Sequence, residues 1–439
     1  MSLPPGPRAP VGWQTLGALT RQRPYLERQR RRYGNVFTIK LLGLGAFVAC
    51  ADPVLIKQVF TADPTVLHAG TGSPLGTVLG SNSLLAIDED RHLEQRKLLL
   101  PPFHGKRMQA YEGLIESIAA DEIATWPAGT PIETAAPFMR ITLRAILRAV
   151  FGAEGEALRE LEASIPPFVE RGSRMATMHQ FQKDLGPRSP WGKFLAARAL
   201  VDRQLDALIE TARTDPDLTD RADVLALMVQ ATHTDGTPMA NAEIRDQLVT
   251  LLAAGHETTA ATLAWTVERL VRHPDVAARL TDEVDAGGRA LRDATIREVQ
   301  RCRPVISFAA RQVKKPYSLA GYDLPLLSRI GLAASLTHFD PALFEEPDRF
   351  RPDRFLGAKP DTYSWIPFGG GIRRCIGAAF AHMEMEVVLR TLLARVTLEG
   401  APGAPDEGWR DRGVAHVPAA GGRVTVRHRG PVRARAVAA

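Results

Sequence analysis

The stretch Phe368-Gly369-Gly370-Gly371-Ile372-Arg373-Arg374-Cys375-Ile376-Gly377 decides how the rest of the chain is read. It places one cysteine in a glycine-rich loop, preceded by two arginines and followed by a helical pattern from Ala378 to about Val396. The N-terminus of such a helix carries partial positive charge and unsatisfied N–H groups, both of which favour a thiolate. A thiolate is a strong, electron-donating ligand for haem iron and turns haem toward O–O bond cleavage. Glycines let the backbone lie flat against a large planar cofactor. Arg373 is placed to reach an anionic group such as a haem propionate. A lone cysteine is more often a small buried hydrophobe than a ligand. Five positions in register, Phe368, Gly371, Arg373, Cys375 and Gly377, reverse that expectation.

The pattern Phe-x-x-Gly-x-Arg-x-Cys-x-Gly resembles the haem-binding signature of the cytochrome P-450 family, the haem-thiolate monooxygenases. The resemblance implies a mainly α fold with small β-sheets, a triangular prism with a long central helix over haem. It implies haem b (iron protoporphyrin IX) as cofactor and Cys375 as metal ligand, with Phe368, Gly369, Arg373 and Gly377 around the cofactor.

The 439 residues and 45% hydrophobic content suffice for a large core with an enclosed pocket. Three cysteines, Cys50, Cys302 and Cys375, form neither a disulfide framework nor a zinc spacing, which fits a reducing cytoplasm. The N-terminal Met1-Ser2-Leu3-Pro4-Pro5-Gly6-Pro7-Arg8 lacks the apolar run of a signal peptide, and no transmembrane anchor is expected. The net charge of +6 comes mainly from scattered arginines, without the aromatic-interleaved basic stripe of a nucleic-acid binder. Such a surface is either simply solvated or steers an acidic electron-transfer partner.

Residues 1–12 read as a Pro-rich extended segment, 13–430 as one domain, and 431–439 as a disordered basic tail. Val36–Leu42 and Ala46–Cys50 around Gly43-Leu44-Gly45 predict a β-hairpin, and Val54–Phe60 a short helix. Thus β-rich parts are expected near 36–60, 311–332 and 414–427. Residues 66–86 predict a long, functional irregular loop. From 90 to 300 the pattern is helical, with breaks at Pro131, Pro166-Pro167 and Gly186–Pro190. Asn241 predicts the N-cap of a helix of about 30 residues, roughly 45 Å, running to Arg272 and stopped by Pro274.

Ala254-Gly255-His256-Glu257-Thr258-Thr259 lies in the middle of that helix. Glycine there costs about 1 kcal/mol against alanine, and adjacent threonines weaken it further. Such a weak point suits a close approach at Gly255 and a backbone ladder opened by Thr258. The stretch resembles the family's oxygen-binding motif, which implies Ala254 and Gly255 against the cofactor and Glu257 with Thr258 as an acid–alcohol pair delivering protons. The plain alternative is a helix kink whose hydroxyl bonds to the previous turn. A His-Glu-x-x-His zinc reading fails because Ala260 stands at the last position. No phosphate loop or Gly-x-Gly-x-x-Gly follows a strand, so electrons are expected from another protein, a ferredoxin or flavodoxin with its reductase.

Glu298-Val299-Gln300-Arg301 places opposite charges three apart on one helix face. The family's Glu-x-x-Arg signature, completed by Arg354 in Pro352-Asp353-Arg354-Phe355, implies a structural cluster of Glu298, Arg301 and Arg354. Pro347-Asp348-Arg349-Phe350 matches the same pattern, and Arg354 is preferred because it lies nearer Cys375. By the same resemblance His92, Arg96 and Arg311 bind haem propionates, for which guanidinium groups suit bidentate pairing. Pro325-Leu326-Leu327-Ser328 departs from the family's Pro-Lys-Gly at this turn, and His256 is a polar choice at a variable motif position.

The family's pocket maps onto Leu84, Leu85, Leu251, Val305, Ile306, Val414 and Ala415, a mostly apolar wall suited to a lipophilic substrate. Pro101–Met108 and Leu185–Phe194 resemble a bacterial branch that includes fatty-acid and terpenoid hydroxylases. The expected enzyme is a monomeric monooxygenase acting on a lipophilic molecule and O2. The rival expectations are a peroxide-driven peroxygenase of the same fold and a non-catalytic haem or lipid carrier.

Overall fold

The computed structural model describes residues 2–73, 75–103, 107–152, 155–177, 182–221, 223–400 and 405–430. Two helices open it, α1 (Val11–Thr20) and α2 (Gln22–Tyr33), followed by the antiparallel pair β1 (Val36–Leu41) and β2 (Gly45–Cys50). α3 (Pro53–Phe60) begins where the Asp52 carboxylate accepts the N–H groups of Val54 and Leu55, an N-cap with proline in the first turn. β3 (Leu67–His68), α4 (Gly76–Leu79) and α5 (Glu89–Leu99) lead into the helical body. That body comprises α6 (Arg107–Ala124), the short β4 (Pro131–Glu133), α7 (Ala135–Phe151), α8 (Glu156–Thr177), α9 (Pro190–Arg213) and α10 (Val224–Gln230). It continues through α11 (Asn241–Leu270), α12 (Pro274–Asp285) and α13 (Ala290–Cys302). The chain then returns to strands, β5 (Phe308–Val313), β6 (Tyr317–Leu319), β7 (Tyr322–Leu324) and β8 (Arg329–Ala333). α14 (Ala334–Thr337) and α15 (Ala378–Arg395) precede β9 (Val396–Glu399), β10 (Trp409–Arg412), β11 (Ala415–Pro418) and β12 (Arg423–His428).

The main sheet has the order β1-β2-β8-β5-β3, and β4-β12-β9 forms a second. The hairpins β6-β7 and β10-β11 stand apart. β2 and β8 pair in parallel, so Cys50 lies opposite Leu332 and is fully buried. α11 crosses the interior with most of its residues buried and packs along α7 and against α13, α15 and β11. Its apolar residues join those of α5 to α10 and α15 in one core.

Several expectations are corrected. Helix begins at Val11, so the first segment is extended only to Pro10. The N-cap of α11 is Ala240, whose N–H is accepted by Glu243 Oε2 at 3.0 Å. Asn241 instead accepts a hydrogen bond from Arg213 Nε at 2.7 Å, and the helix ends at Leu270. Pro166 and Pro167 lie inside α8 rather than breaking it. Leu161, Ile165, Phe168 and Val169 are buried on its core face while Pro166 is exposed, so packing holds the helix across the lost N–H groups. The 66–86 stretch is interrupted by β3 and α4. It is pinned to α11 where Asn82 and Leu84 donate their N–H groups to Asp246 and Gln247 at 3.1 and 3.0 Å. Residues 104–106 and the tail 431–439 lie outside the described residues.

Candidate active site

The Cys375 loop is built between α3 and the start of α15. Cys375 N–H donates to Phe368 O at 2.9 Å, closing the loop on itself. Gly371 has φ of 62°, and a Cβ there would sit 2.0 Å from the Phe60 carbonyl oxygen, so only glycine fits. Gly370 likewise abuts the Phe60 ring, whereas Gly369 and Gly377 have open space where a Cβ would go. Cys375 is exposed to a cavity of about 640 Å3 whose walls include Arg96, Phe368 and Arg374. Surrounding protein mass desolvates the thiol and pushes its pKa up, opposed by the Gly377 N–H and the charges of Arg96 and Arg374.

Beside the loop lie three guanidinium groups, Arg96, Arg311 and Arg373, of which Arg373 is paired with Asp88, together with the imidazole of His92. His92 is buried, its Nδ1 has no hydrogen-bond partner, and burial with the charges of Arg373 and Arg96 lowers its pKa to about 3. Burial, with Arg373 nearby, lowers Arg311 to about 10. Its guanidinium donates to Ala310 O at 2.8 Å. Arg96 is also lowered by burial. Arg373 donates to Leu84 O at 3.0 Å, to Ile87 O and to the Asp88 carboxylate. Asp88 is the carboxylate that faces the group. Burial alone would raise it, but N–H donors from Thr71, Ala69 and Gly70 outweigh that and hold it well below the usual range. Arg96 and Arg311, without an ion-pair partner among the described residues, lie with Arg373 and the neutral, unpartnered His92 next to an accessible cysteine, which fits a planar group bearing two carboxylates. Of the residues expected at the cofactor, the structure brings His92, Arg96, Arg311 and Arg373 together.

On α11, Ala254 is exposed and Gly255 and Thr258 are half-buried in an otherwise buried stretch. A Cβ on Gly255 would lie 3.1 Å from Ile146 Cγ1, so this glycine serves the approach of α7. Thr142 on α7 donates to His256 O at 2.9 Å across the same contact. The helix is continuous here, and Thr258 Oγ1 donates to Ala254 O at 3.0 Å, the previous-turn bond of the plain alternative. Glu257 is buried and pairs with Arg412 Nε at 2.9 Å, a partner that sequence reading missed. Burial raises the Glu257 pKa against the opposing pull of Arg412. His256 donates Nδ1–H to Leu252 O at 2.7 Å, and burial lowers it to about 4.

Glu298 and Arg301 are fully buried and pair through two bonds of 2.8 and 2.7 Å. Arg354 Nε joins the same carboxylate at 3.0 Å. Arg349 contributes its backbone carbonyl and turns its side chain to Glu346. The expected pocket residues fall into separate groups. Leu84 and Leu251 belong to the helical core, whereas Val305 and Ala415 pack with Trp265, Val299 and Val417. Ala415 is only 1% exposed, so it is enclosed rather than a wall. His416 N–H donates to Val305 O at 2.9 Å, which sets the exposed Val414 and half-buried Ile306 nearby, while Leu85 is exposed at the far loop.

The cytochrome P450 family model matches residues 4–410. A putative cytochrome P450 138 of Mycobacterium tuberculosis is 50% identical over 429 residues, covering 97% of each chain. A putative cytochrome P450 135B1 of the same organism is 40% identical, covering 97% of this chain and 92% of that one. Among solved structures, a retinoic acid-bound cyanobacterial CYP120A1 superimposes with a TM-score of 0.85 at 23% identity, covering 97% of this chain and 100% of the other. A cytochrome P450DA haem domain gives 0.84 at 23% identity, covering 98% of each.

Proposed function

Because the chain belongs to the cytochrome P450 family and is a haem b monooxygenase, we propose that it oxygenates a small lipophilic molecule with electrons from a separate ferredoxin or flavodoxin. Cys375 Sγ would hold the iron at the start of α15. Arg96, Arg311 and Arg373 would pair with the propionates, supplying the counter-charge that Arg96 and Arg311 lack, and the neutral His92 would donate a hydrogen bond to them. The observation that carries this reading is the pair of desolvated guanidinium groups, Arg96 and Arg311, without an ion-pair partner among the described residues beside an accessible cysteine. Bound haem supplies the activation of dioxygen and the transfer of one of its atoms.

Thr258 Oγ1 holds a proton beside the exposed Ala254 face, and Glu257 replaces that proton once it leaves Arg412. The Glu298–Arg301–Arg354 cluster is structural and holds the segment leading to the cysteine loop. Leu85, Ile306 and Val414 offer apolar surface to the substrate. Around the Cys375 cavity the exposed Arg374, together with Arg289, Arg297 and Arg390, which are paired with Glu386, Asp293 and Glu116, would face an acidic electron donor.

The test is the difference spectrum of the purified, dithionite-reduced protein with carbon monoxide. The strongly red-shifted Soret band of a thiolate-ligated haem is expected. A band typical of histidine or thiol ligation, or none, overturns the assignment of Cys375.

A further inference from the structure

In α1 the usual placement of polar and apolar residues is reversed. Its inward face is Gln14 and Ala18, held to the sheet by polar bonds. Gln14 Nε2 donates to Ala9 O at 2.7 Å, Lys40 N–H donates to Gln14 Oε1 at 2.8 Å, and Leu42 N–H donates to Thr15 Oγ1 at 2.9 Å. Its outward face carries Trp13 at 69%, Leu16 at 51% and Leu19 at 65% exposure. Spacing of three residues sets these on one side of the helix. The bond from Leu42 brings the β1–β2 turn beside them, and Leu42 is itself 71% exposed. Clustered large apolar side chains on a water-facing helix mark an interaction surface.

The charge of the segment that carries this face is lopsided too. Residues 1–51 contain Arg8, Arg21, Arg23, Arg28, Arg30, Arg31, Arg32 and Lys40 but only one acid, Glu27. That is +8 − 1 = +7, against +6 for the whole chain, so the remaining residues are close to neutral. Glu27 is already paired with Arg23, and Asp348 and Asp340 from later in the chain pair with Arg23 and Arg30, which leaves the charge concentrated on the other basic residues. Trp13 shares a hollow of about 850 Å3 with Arg8, Tyr25, Arg28, Arg32 and Tyr33. Arg8, Arg28 and Arg32 form no ion pair among the described residues.

We propose that α1 and the β1–β2 turn dock this protein on an anionic phospholipid surface, with Trp13, Leu16, Leu19 and Leu42 entering the interface and Arg8, Arg28 and Arg32 taking lipid phosphates. An apolar stripe flanked by arginines is what interfacial binding requires. A second copy of the chain is a poorer occupant, because face-to-face pairing would bring two sets of like charges together. Among the described residues no helix is long and apolar enough to span a bilayer, so the attachment is peripheral and reversible.

The test is sedimentation of the holoenzyme with sucrose-loaded vesicles, comparing phosphatidylcholine alone with an equal mixture of phosphatidylcholine and phosphatidylglycerol. Tighter binding to the anionic vesicles is expected. Arg28→Gln with Arg32→Gln should weaken it about 25-fold, about fivefold for each charge. Leu16→Ser with Leu19→Ser should weaken it by at least about tenfold. Both variants should retain the wild-type reduced carbon monoxide spectrum, which shows that they fold. Equal binding to both vesicle types, or full binding by the leucine variant, overturns the proposal. So does displacement by inorganic phosphate at unchanged ionic strength, which would mark a free-phosphate site. Self-association lost in the leucine variant, without vesicle binding, would assign the face to a second copy.

Discussion

Thr258 donates its hydroxyl to the preceding turn and Glu257 is tied to Arg412, so both proposed proton-transfer groups must change partners to act. Thr258→Ala removes the hydroxyl together with one methyl group. It should slow product formation about 100-fold while dioxygen consumption continues and peroxide accumulates. Product formed per dioxygen at the wild-type ratio would exclude Thr258 from proton delivery. The charge cluster gives a second prediction at this scale. Arg354→Ala strands part of a fully buried carboxylate and should cost about 3–5 kcal/mol in urea unfolding. Arg349→Ala removes only an exposed pair and should change stability by less than about 1 kcal/mol. The reverse order of effects would overturn the assignment. Glu298 and Arg301 were legible because their spacing is local. Nearness to Cys375 favours Arg354 over Arg349 in the sequence, and the structure agrees, although what decides it is which side chain reaches Glu298 across 56 positions. Arg412 lies 155 residues from Glu257, and no local pattern announces such a pair.

Local patterning predicted elements well where apolar spacing and caps agreed, as in the β1–β2 hairpin, α3 and α15. It failed at α1, whose buried side is polar, and at α8, where the core face outweighs two prolines. The turn at 325–328 shows the same tension between local preference and imposed geometry. Ser328 N–H donates to Pro325 O at 3.2 Å, and Leu327 N–H to Val313 O at 2.8 Å. This holds Leu327 at φ of 64° with its side chain exposed, where glycine is normally preferred. Leu327→Gly should therefore raise stability by about 1 kcal/mol. An unchanged or lower urea midpoint would show that Leu327 makes contacts worth its strain.

Across the whole molecule, buried histidines make stability depend on pH. His338 accepts the Ile366 N–H at Nε2 and donates Nδ1–H to Arg301 O, so its neutral form is built into the fold. Burial, then Arg301, lowers it from 6.5 to about 3, and burial lowers His256 to about 4. Below the usual value the unfolded chain takes up protons that the folded one refuses, so stability falls with pH. The window opens at 6.5 and closes near 4 for His256 and near 3 for His338. Each should cost about 2 kcal/mol between about pH 7 and about pH 5. His338→Gln should remove about half of their joint difference in urea melts at the two pH values. An equal difference in wild type and variant would mean that His338 already protonates in the fold. A last consequence concerns redesign. Arg412, Gly413 and Val414 are consecutive in the β10–β11 hairpin, so the partner of Glu257 and a proposed substrate contact share one turn. A library that randomises 411–415 to alter selectivity also randomises the counter-ion of Glu257. Selectivity and coupling efficiency should therefore be screened together, because clones chosen for one will drift in the other.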